Sequence, residues 1–189
     1  MSKSGVNAFA TAKNLIDKVV VVKEEFIAAA LLRYVETEKI VVEGAAATGL
    51  GAILAGQLDE LKGKKVVLHL CGGNIDSTTL NHCVERGLAL DNRLIRFTIK
   101  AKGSLNDGIA NLCGLVANCS CRVKSLNCER AWMQDIDAFT ATVIVESANT
   151  TNSSCLKKSL FYLYECIAFN EEISTDKLTI HRDSLYEQK

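Results

Sequence analysis

The sequence has no excess of either charge, since 22 lysines and arginines balance 22 aspartates and glutamates among its 189 residues. A chain without a basic surplus has little electrostatic attraction for nucleic acid or for an anionic membrane surface, so we expect neither partner. Proline is also absent, although average usage of about 5% predicts about nine in a chain of this length. We attach no functional meaning to its absence.

Long apolar runs are missing as well. The longest uncharged run, residues 44–58, is rich in glycine and alanine and shorter than the roughly 20 residues that a membrane-spanning helix needs. Residues 1–12 contain no apolar core of the kind found in secretory signals. With 48% hydrophobic and 23% charged residues, the composition is typical of a globular protein with one or two domains. We therefore expect a cytoplasmic protein without a membrane anchor.

Disulfides and metal ligands are not expected, although the chain contains eight cysteines. Four of them fall inside apolar patterns: Cys71, Cys83, Cys113 and Cys166. In such patterns a thiol behaves as a small hydrophobic side chain. The cluster at residues 119–128 lacks the two- to four-residue gap and the nearby histidine that a zinc site normally shows. The sequence therefore predicts free thiols and no metal site.

The most informative stretch begins at Lys64 and reads KKVVLHLCGGNID. Its apolar run at residues 66–70 is typical of a strand buried on both faces of a parallel sheet. The run ends at residues 71–74, where two glycines allow backbone N–H groups to crowd a ligand. A helix is predicted next, beginning at Asp76 or Ser77. This turn is therefore either a ligand-contacting turn at a strand end or an ordinary tight connection.

A similar arrangement lies upstream. Residues 24–38 predict an amphipathic helix, and residues 40–42 predict a short strand that ends at Glu43. Residues 44–61 predict a second helix with an apolar face formed by Leu50, Ile53, Leu54, Leu58 and Leu61. The first turns of this helix contain almost only Gly, Ala and Thr, which suits either tight helix packing or close approach of a flat ligand.

These two motifs, at residues 40–50 and 71–74, resemble the threonine and serine ammonia-lyases (dehydratases), which are fold-type II enzymes that use pyridoxal phosphate. In that family, a Ser or Cys before Gly-Gly-Asn closes the last cofactor-contacting strand, and its side chain faces the pyridine nitrogen of the cofactor. The resemblance implies the following cofactor-binding residues: Glu43, Cys71, Gly72, Gly73 and Asn74. From the residues alone, Cys71 is equally a buried apolar thiol, and Glu43 is equally an exposed loop acid.

The other cofactor contacts of that family are missing. Pyridoxal phosphate chemistry needs a lysine amine that holds the cofactor and takes the α-proton of the substrate, and the phosphate needs converging N–H groups. The family supplies these with a Ser-Phe-Lys-x-Arg-Gly segment and a run of glycines, and neither occurs here. We therefore expect a fragment or truncated form of L-threonine (L-serine) ammonia-lyase without catalytic residues. Alone it should neither bind the cofactor nor perform the family reaction, which converts threonine to 2-oxobutanoate and ammonia.

The pattern changes at residue 88. Ile95, Phe97 and Ile99 alternate with polar residues, as in a half-buried strand, and residues 105–116 predict a helix. Two further strands, a helix with Leu156, Leu160, Leu163 and Ile167 on one face, and a strand holding Leu178 and Ile180 complete the pattern. The order βαββαβ is typical of an α+β ferredoxin-like domain. We predict an α/β catalytic remnant with parallel strands at residues 1–87 and this second domain at residues 88–189.

The second domain is similar to the ACT-type regulatory domains that follow the catalytic domain of some ammonia-lyases. The matching segments are ERGL at residues 85–88, DNRL at 91–94, GSL at 103–105 and ERAW at 129–132. The resemblance implies an amino-acid effector site at Gly103, Ser104 and Leu105. ACT domains usually have Asp-Arg-Pro before this glycine, and the change here to residues 100–102, Lys-Ala-Lys, predicts weaker capture of an amino group. The alternative function is a non-catalytic module that forms a homo-oligomer or pairs with an intact lyase.

Overall fold

The structure, a computed structural model, describes residues 5–170 and the backbone of residues 179 and 180. It divides the chain into two compact units, and the division falls between Thr79 and Leu80. A continuous helix covers residues 77–90, so the predicted boundary at residue 87 lies inside a helix. Among the described residues, no helix has both the length and the apolar character needed to cross a bilayer.

The elements of the first unit are mostly helical. They are α1 (Val6–Ala12), β1 (Val19–Val20), α2 (Glu24–Arg33) with a π-helical turn at Tyr34–Glu38, and α3 (Gly44–Leu54). The elements that follow are α4 (Ser77–Leu90), β2 (Leu94–Lys102), α5 (Leu105–Asn118), β3 (Cys121–Glu129), β4 (Ala138–Ser147), α6 (Thr150–Leu163), β5 (Glu165–Phe169) and β6 (Thr179–Ile180). Strand β6 pairs antiparallel with β1, so both belong to the first unit.

Helix α3 packs on α2 through its small residues. Gly51 lies so close to α2 that a Cβ atom there would be 3.2 Å from the carbonyl oxygen of Phe26, and Ala46, Ala47 and Ala52 are buried. Ile53 and Leu54, from the predicted apolar face, are 40% and 41% exposed. Two of the five residues of the predicted apolar face are thus exposed, and tight packing against α2 accounts for Gly51. The helix also ends at Leu54 rather than Leu61, since Gly56 adopts the left-handed backbone conformation.

The two strands predicted beside the candidate site are not formed. Residues 40–43 and 64–76 form neither helix nor strand, and the described residues contain no parallel strand pair. Val67 is 93% exposed and Val66 is 43% exposed, which contradicts the prediction of a strand buried on both faces. A strand is stable only when neighbouring strands bond its N–H and C=O groups, and the described residues supply no such ladder to this segment.

The second unit contains a four-stranded antiparallel sheet in the order β3-β4-β2-β5. Strand β2 pairs with β4 along its whole length, from Leu94 opposite Glu146 to Lys102 opposite Ala138. Ile95, Phe97 and Ile99 are buried while Arg96 between them is exposed, as the period-two pattern predicted. The buried side chains of the sheet pack with Leu112 and Val116 of α5 and with Leu156 and Leu160 of α6.

The boundaries of three predicted elements in this unit were wrong. Helix α4 continues through Gly87 to Leu90, because Gly87 is buried inside the helix rather than placed at its end. Helix α6 ends at Leu163, since Tyr164 is extended, and Ile167 belongs to strand β5. The final strand pairs with β1 of the first unit instead of completing the four-stranded sheet, while Leu178 lies outside the described residues.

Candidate functional sites

The turn at residues 71–74 lies beside the start of helix α3. The backbone N–H of Glu43 donates to the carbonyl oxygen of Gly72 at 2.9 Å. The Glu43 carboxylate also faces Gly72, because a Cβ atom on Gly72 would lie 3.8 Å from Oε1 of Glu43. Glu43 is half-buried and directly precedes α3, so its negative charge lies near the positive end of the helix dipole. Two of the predicted cofactor-binding residues are therefore in contact.

Gly73 fixes the distance between the same two segments. A Cβ atom on Gly73 would lie 2.9 Å from the carbonyl oxygen of Val41, closer than real Cβ contacts allow, so only glycine fits without a backbone shift. The residues of the two motifs therefore lie side by side even though neither segment is a regular strand.

Cys71 is not the buried apolar thiol that was one of its two interpretations. Its side chain is exposed, and its Sγ lies 3.6 Å from Nδ1 of His69 and 3.8 Å from the carbonyl oxygen of His69. Sequence reasoning missed His69 as a neighbour of this thiol. The signal was available, because residues i and i+2 of an extended segment point to the same side.

The residues after the turn lie at the N-terminus of helix α4, where Asp76 caps the helix. Asn74 is exposed, and the Asp76 carboxylate accepts hydrogen bonds from the backbone N–H of Thr79 at 2.9 Å and from its hydroxyl at 2.6 Å. These two bonds lower the pKa of Asp76 below its ordinary value. The first turn of α4 thus already has an anion at its N-terminus, which removes one N–H group that a phosphate would need.

The residues present do not by themselves fit pyridoxal phosphate. Lys64 and Lys65 are exposed, and Lys62 forms an ion pair with Asp59 at 3.1 Å, whereas a cofactor-holding lysine needs a desolvated setting. The thiol of Cys71 is in solvent, and Glu43 with Gly72 provides contacts on one side only. The first unit therefore brings Glu43 into contact with Gly72, while Lys62, Lys64 and Lys65 lack the setting of a cofactor-holding lysine.

The candidate effector site in the second unit is built around Gly103. This glycine has φ of +101°, which permits the sharp turn between β2 and α5. Its N–H donates to the carbonyl oxygen of Asp137 at 2.8 Å, and its own carbonyl accepts from Nη2 of Arg130 at 2.6 Å. Ser104 caps α5 by accepting the N–H of Asp107, and Leu105 packs against the core. The predicted effector residues therefore form one turn with a guanidinium beside it.

Two acids near this turn compensate for the unusual lysines. The depression around Gly103 is lined by Lys102, Ser104, Arg130, Asp135 and Asp137. Lys102 forms an ion pair with Asp135 at 2.5 Å, which raises the pKa of Lys102 and lowers that of Asp135. Asp135 and Asp137 therefore place two acids beside this turn, and weaker capture of an amino group stays a prediction. Sequence reasoning missed Arg130, Asp135 and Asp137 as site residues, because only the fold brings residues 130–137 to the first turn.

Comparison with known proteins shows what the N-terminal portion of the chain is similar to. Residues 1–72 match the family of pyridoxal-phosphate dependent enzymes. Over 130 residues, or 69% of this chain and 32% of the relative, the chain is 36% identical to an L-threonine ammonia-lyase of Geobacter sulfurreducens. It is also 36% identical to an L-threonine ammonia-lyase of Thermotoga maritima over 129 residues, or 67% of this chain and 31% of the relative.

A further relative covers a shorter segment. A catabolic L-threonine dehydratase of Staphylococcus aureus is 38% identical over 86 residues, which is 44% of this chain and 25% of the relative. The chain thus spans about a third or less of the length of each of these three relatives. The resemblance of the N-terminal portion to threonine ammonia-lyases is confirmed by these matches.

Proposed function

We propose that this chain contains the closing segment of a threonine (serine) ammonia-lyase catalytic domain followed by an ACT-like domain. The observation that supports this most directly is the hydrogen bond between Glu43 N–H and Gly72 O. It joins Glu43 and Gly72, which both lie within residues 1–72, the segment that matches the family. In a full-length enzyme, this edge would contact pyridoxal phosphate through Glu43, Cys71, Gly72, Gly73 and Asn74. The cofactor would supply the chemistry that removes ammonia from threonine to give 2-oxobutanoate.

Alone, the chain is proposed to be catalytically inactive and not to hold the cofactor. Only one wall of the pocket is present, Cys71 is exposed, and Thr79 N–H already binds the Asp76 carboxylate. The test is to incubate the purified chain with pyridoxal phosphate, reduce it with borohydride and measure its intact mass. We expect no adduct at a single lysine, and no difference between the chain and its Cys71→Ala variant. Stoichiometric labelling of one lysine would contradict the proposal.

The ACT-like part of the proposal is supported by the second unit. Its βαββαβ element order and its antiparallel sheet order β3-β4-β2-β5 are those of a ferredoxin-like domain. An amino-acid effector would place its carboxylate near Arg130 and its ammonium group near Asp135 and Asp137.

The single tryptophan provides a direct readout for effector binding. Trp132 is two residues from Arg130 and is 82% exposed. Titration with the common amino acids should change its fluorescence saturably for at least one of them, and Arg130→Gln should weaken that binding. Arg122→Gln is the matched control, since Arg122 lies on β3 away from the residues that line the depression. Fluorescence unchanged by every amino acid would count against an effector site.

The alternative function is a non-catalytic module that pairs with itself or with an intact lyase. The observation in its favour is the set of exposed apolar side chains in the first unit, which includes Val41, Ile53, Leu54, Val66 and Val67. Apolar surface of this kind commonly marks an interaction site. Mixing the chain with a full-length threonine ammonia-lyase and measuring complex formation by size-exclusion chromatography distinguishes the two functions. A stable complex with altered turnover supports the module, and separate elution supports the catalytic remnant.

A further inference from the structure

Two cysteines of the second unit lie close enough to react with each other. Cys119, at the C-terminal end of α5, and Cys155, in α6, have their Sγ atoms 3.5 Å apart. Both are free thiols in the structure. A disulfide has an S–S distance of about 2.05 Å, so the two sulfurs need to approach by about 1.5 Å to form one.

The surrounding hydrogen bonds hold the two thiols in this arrangement. Nδ2 of Asn152, in the first turn of α6, donates to the carbonyl oxygen of Ser120, the residue after Cys119. The hydroxyl of the next residue, Ser153, donates to the carbonyl oxygen of Asn92 at 2.6 Å. The first bond holds the start of α6 beside the end of α5, and the second holds it to the residues before β2, so the proximity of the sulfurs is part of the packing of the unit.

The two thiols differ in access to solvent, which gives them different roles. Cys155 is exposed, whereas Cys119 is buried. Burial and the neighbouring Cys155 raise the pKa of the Cys119 thiol, so Cys119 is the poorer first nucleophile. A reagent from solvent therefore meets Cys155 first, and Cys119 is positioned to react second.

We propose that Cys119 and Cys155 form a dithiol modification site that is oxidised by low-molecular-weight disulfides of the glutathione type. The Cys155 thiolate attacks one sulfur of the small disulfide, whose S–S bond breaks and releases one thiolate. The Cys119 thiol then loses its proton and attacks Sγ of Cys155, which releases the second thiol. The protein dithiol loses two electrons and two protons, and the small disulfide is reduced to two thiols.

The neighbouring Cys121 is not part of this site. Its Sγ is buried and donates to the carbonyl oxygen of Cys119 at 3.5 Å. That contact directs its sulfur to the backbone rather than to Cys155. Cys119 and Cys121 are separated by a single residue, yet only Cys119 lies within reach of Cys155 in this site.

Oxidation would connect the two helices across strands β3 and β4. The bond closes the loop from Cys119 to Cys155, which contains both of those strands, and restricts the unfolded chain more than the folded one. The oxidised second unit should therefore unfold at a higher temperature than the reduced one, and a thiol reductant should reverse the change.

The experiment treats the native chain with excess oxidised glutathione, alkylates the remaining thiols in denaturant and maps disulfides by mass spectrometry. We expect the treated chain to carry two fewer alkyl groups than the untreated chain. We also expect a pair of peptides joined by a disulfide between Cys119 and Cys155, with fragment ions that assign the bond to Cys119 rather than Cys121. The native reduced chain should also bind one equivalent of phenylarsine oxide, a reagent for closely spaced dithiols.

The variants make the result specific. Cys155→Ser replaces an exposed thiol and should abolish both the disulfide and the arsenical binding. Cys113 lies in α5, the helix that ends beside Cys119, and Cys113→Ser should retain both. A disulfide that joins Cys121 or another cysteine instead would overturn the proposal. So would eight alkylated thiols after glutathione treatment, or full arsenical binding by Cys155→Ser.

Discussion

The backbone N–H of Glu43 donates to the carbonyl oxygen of Gly72 across 2.9 Å, and this bond connects the start of helix α3 to the turn before helix α4. Nearby, the carbonyl oxygen of Val41 lies 2.9 Å from the position that a Cβ atom of Gly73 would take. The two motifs that resemble the lyase family therefore contact each other through their backbones. This contact is made by backbone atoms and does not depend on any catalytic side chain.

Gly73→Ala should weaken this contact. The new methyl group would lie 2.9 Å from the carbonyl oxygen of Val41, and overpacking of this kind costs about 1–3 kcal/mol of the free energy of unfolding. Amide exchange of Glu43 should accelerate, as measured by hydrogen–deuterium exchange. Gly72→Ala is the matched control, because its methyl group would meet Glu43 Oε1 at an ordinary 3.8 Å. Equal exchange in both variants would contradict the arrangement.

Two glycines of helix α5 should respond in opposite directions to the same substitution. A Cβ atom on Gly108 would clash with Cζ of the buried Phe139, so Gly108→Ala should destabilise the second unit by about 1–3 kcal/mol. A Cβ atom on Gly114 meets nothing within 4 Å. Gly114→Ala should therefore stabilise the helix by about 0.5–1 kcal/mol. Urea unfolding followed by circular dichroism measures both, and destabilisation by Gly114→Ala would contradict the packing.

The cap of helix α4 should make its first turn sensitive to acid. The pKa of Asp76 is lowered in the folded chain by its bonds from Thr79, so the ionised form stabilises the helix start above the unfolded pKa. This contribution disappears as the pH falls through the folded pKa of Asp76. The protection of the Thr79 amide, meaning its exchange rate relative to an unfolded chain at the same pH, should fall over that range in the native chain. In Asp76→Asn, which keeps an acceptor but cannot ionise, that protection should not change. The same acid response in both proteins would rule out Asp76 as its source.

The exposed apolar residues of the first unit should cause self-association. Val67 is 93% exposed, and apolar surface left in water favours contact with another copy. Sedimentation velocity should show species larger than the monomer that increase with concentration, and Val67→Lys should reduce them. Lys65→Arg is the control, because it changes a neighbouring exposed residue without removing apolar surface. A monodisperse monomer at all concentrations would contradict this prediction.

Local sequence patterns predicted the second unit better than the first. The alternation of Ile95, Phe97 and Ile99 was sufficient because their sheet neighbours are in the same unit. The strand predicted at residues 66–70 failed because an apolar run specifies burial only when other strands bond it. Strand β5 was missed because Ile167 continues the helical spacing of Leu160 and Leu163, and the extended Tyr164 that ends the helix has no strong local signal.

The candidate sites were predicted to different extents. The family motifs identified Glu43 and Gly72, which the structure brings together. The contact of Cys71 with His69 follows from their i, i+2 spacing, whereas the contacts of Gly103 with Arg130 and with Asp137 depend on turns and sheet register. Sequence distance gave no indication of the last two contacts.

Turnover of threonine by the homogeneous recombinant chain tests the central claim, that one wall of the cofactor pocket is present without the groups that hold the cofactor. The assay measures release of ammonia and 2-oxobutanoate in the presence of excess pyridoxal phosphate, with the Glu43→Gln variant and a full-length threonine ammonia-lyase as references. The account predicts no release above the buffer rate for the chain or its variant. Release by the native chain that is reduced by Glu43→Gln would contradict it.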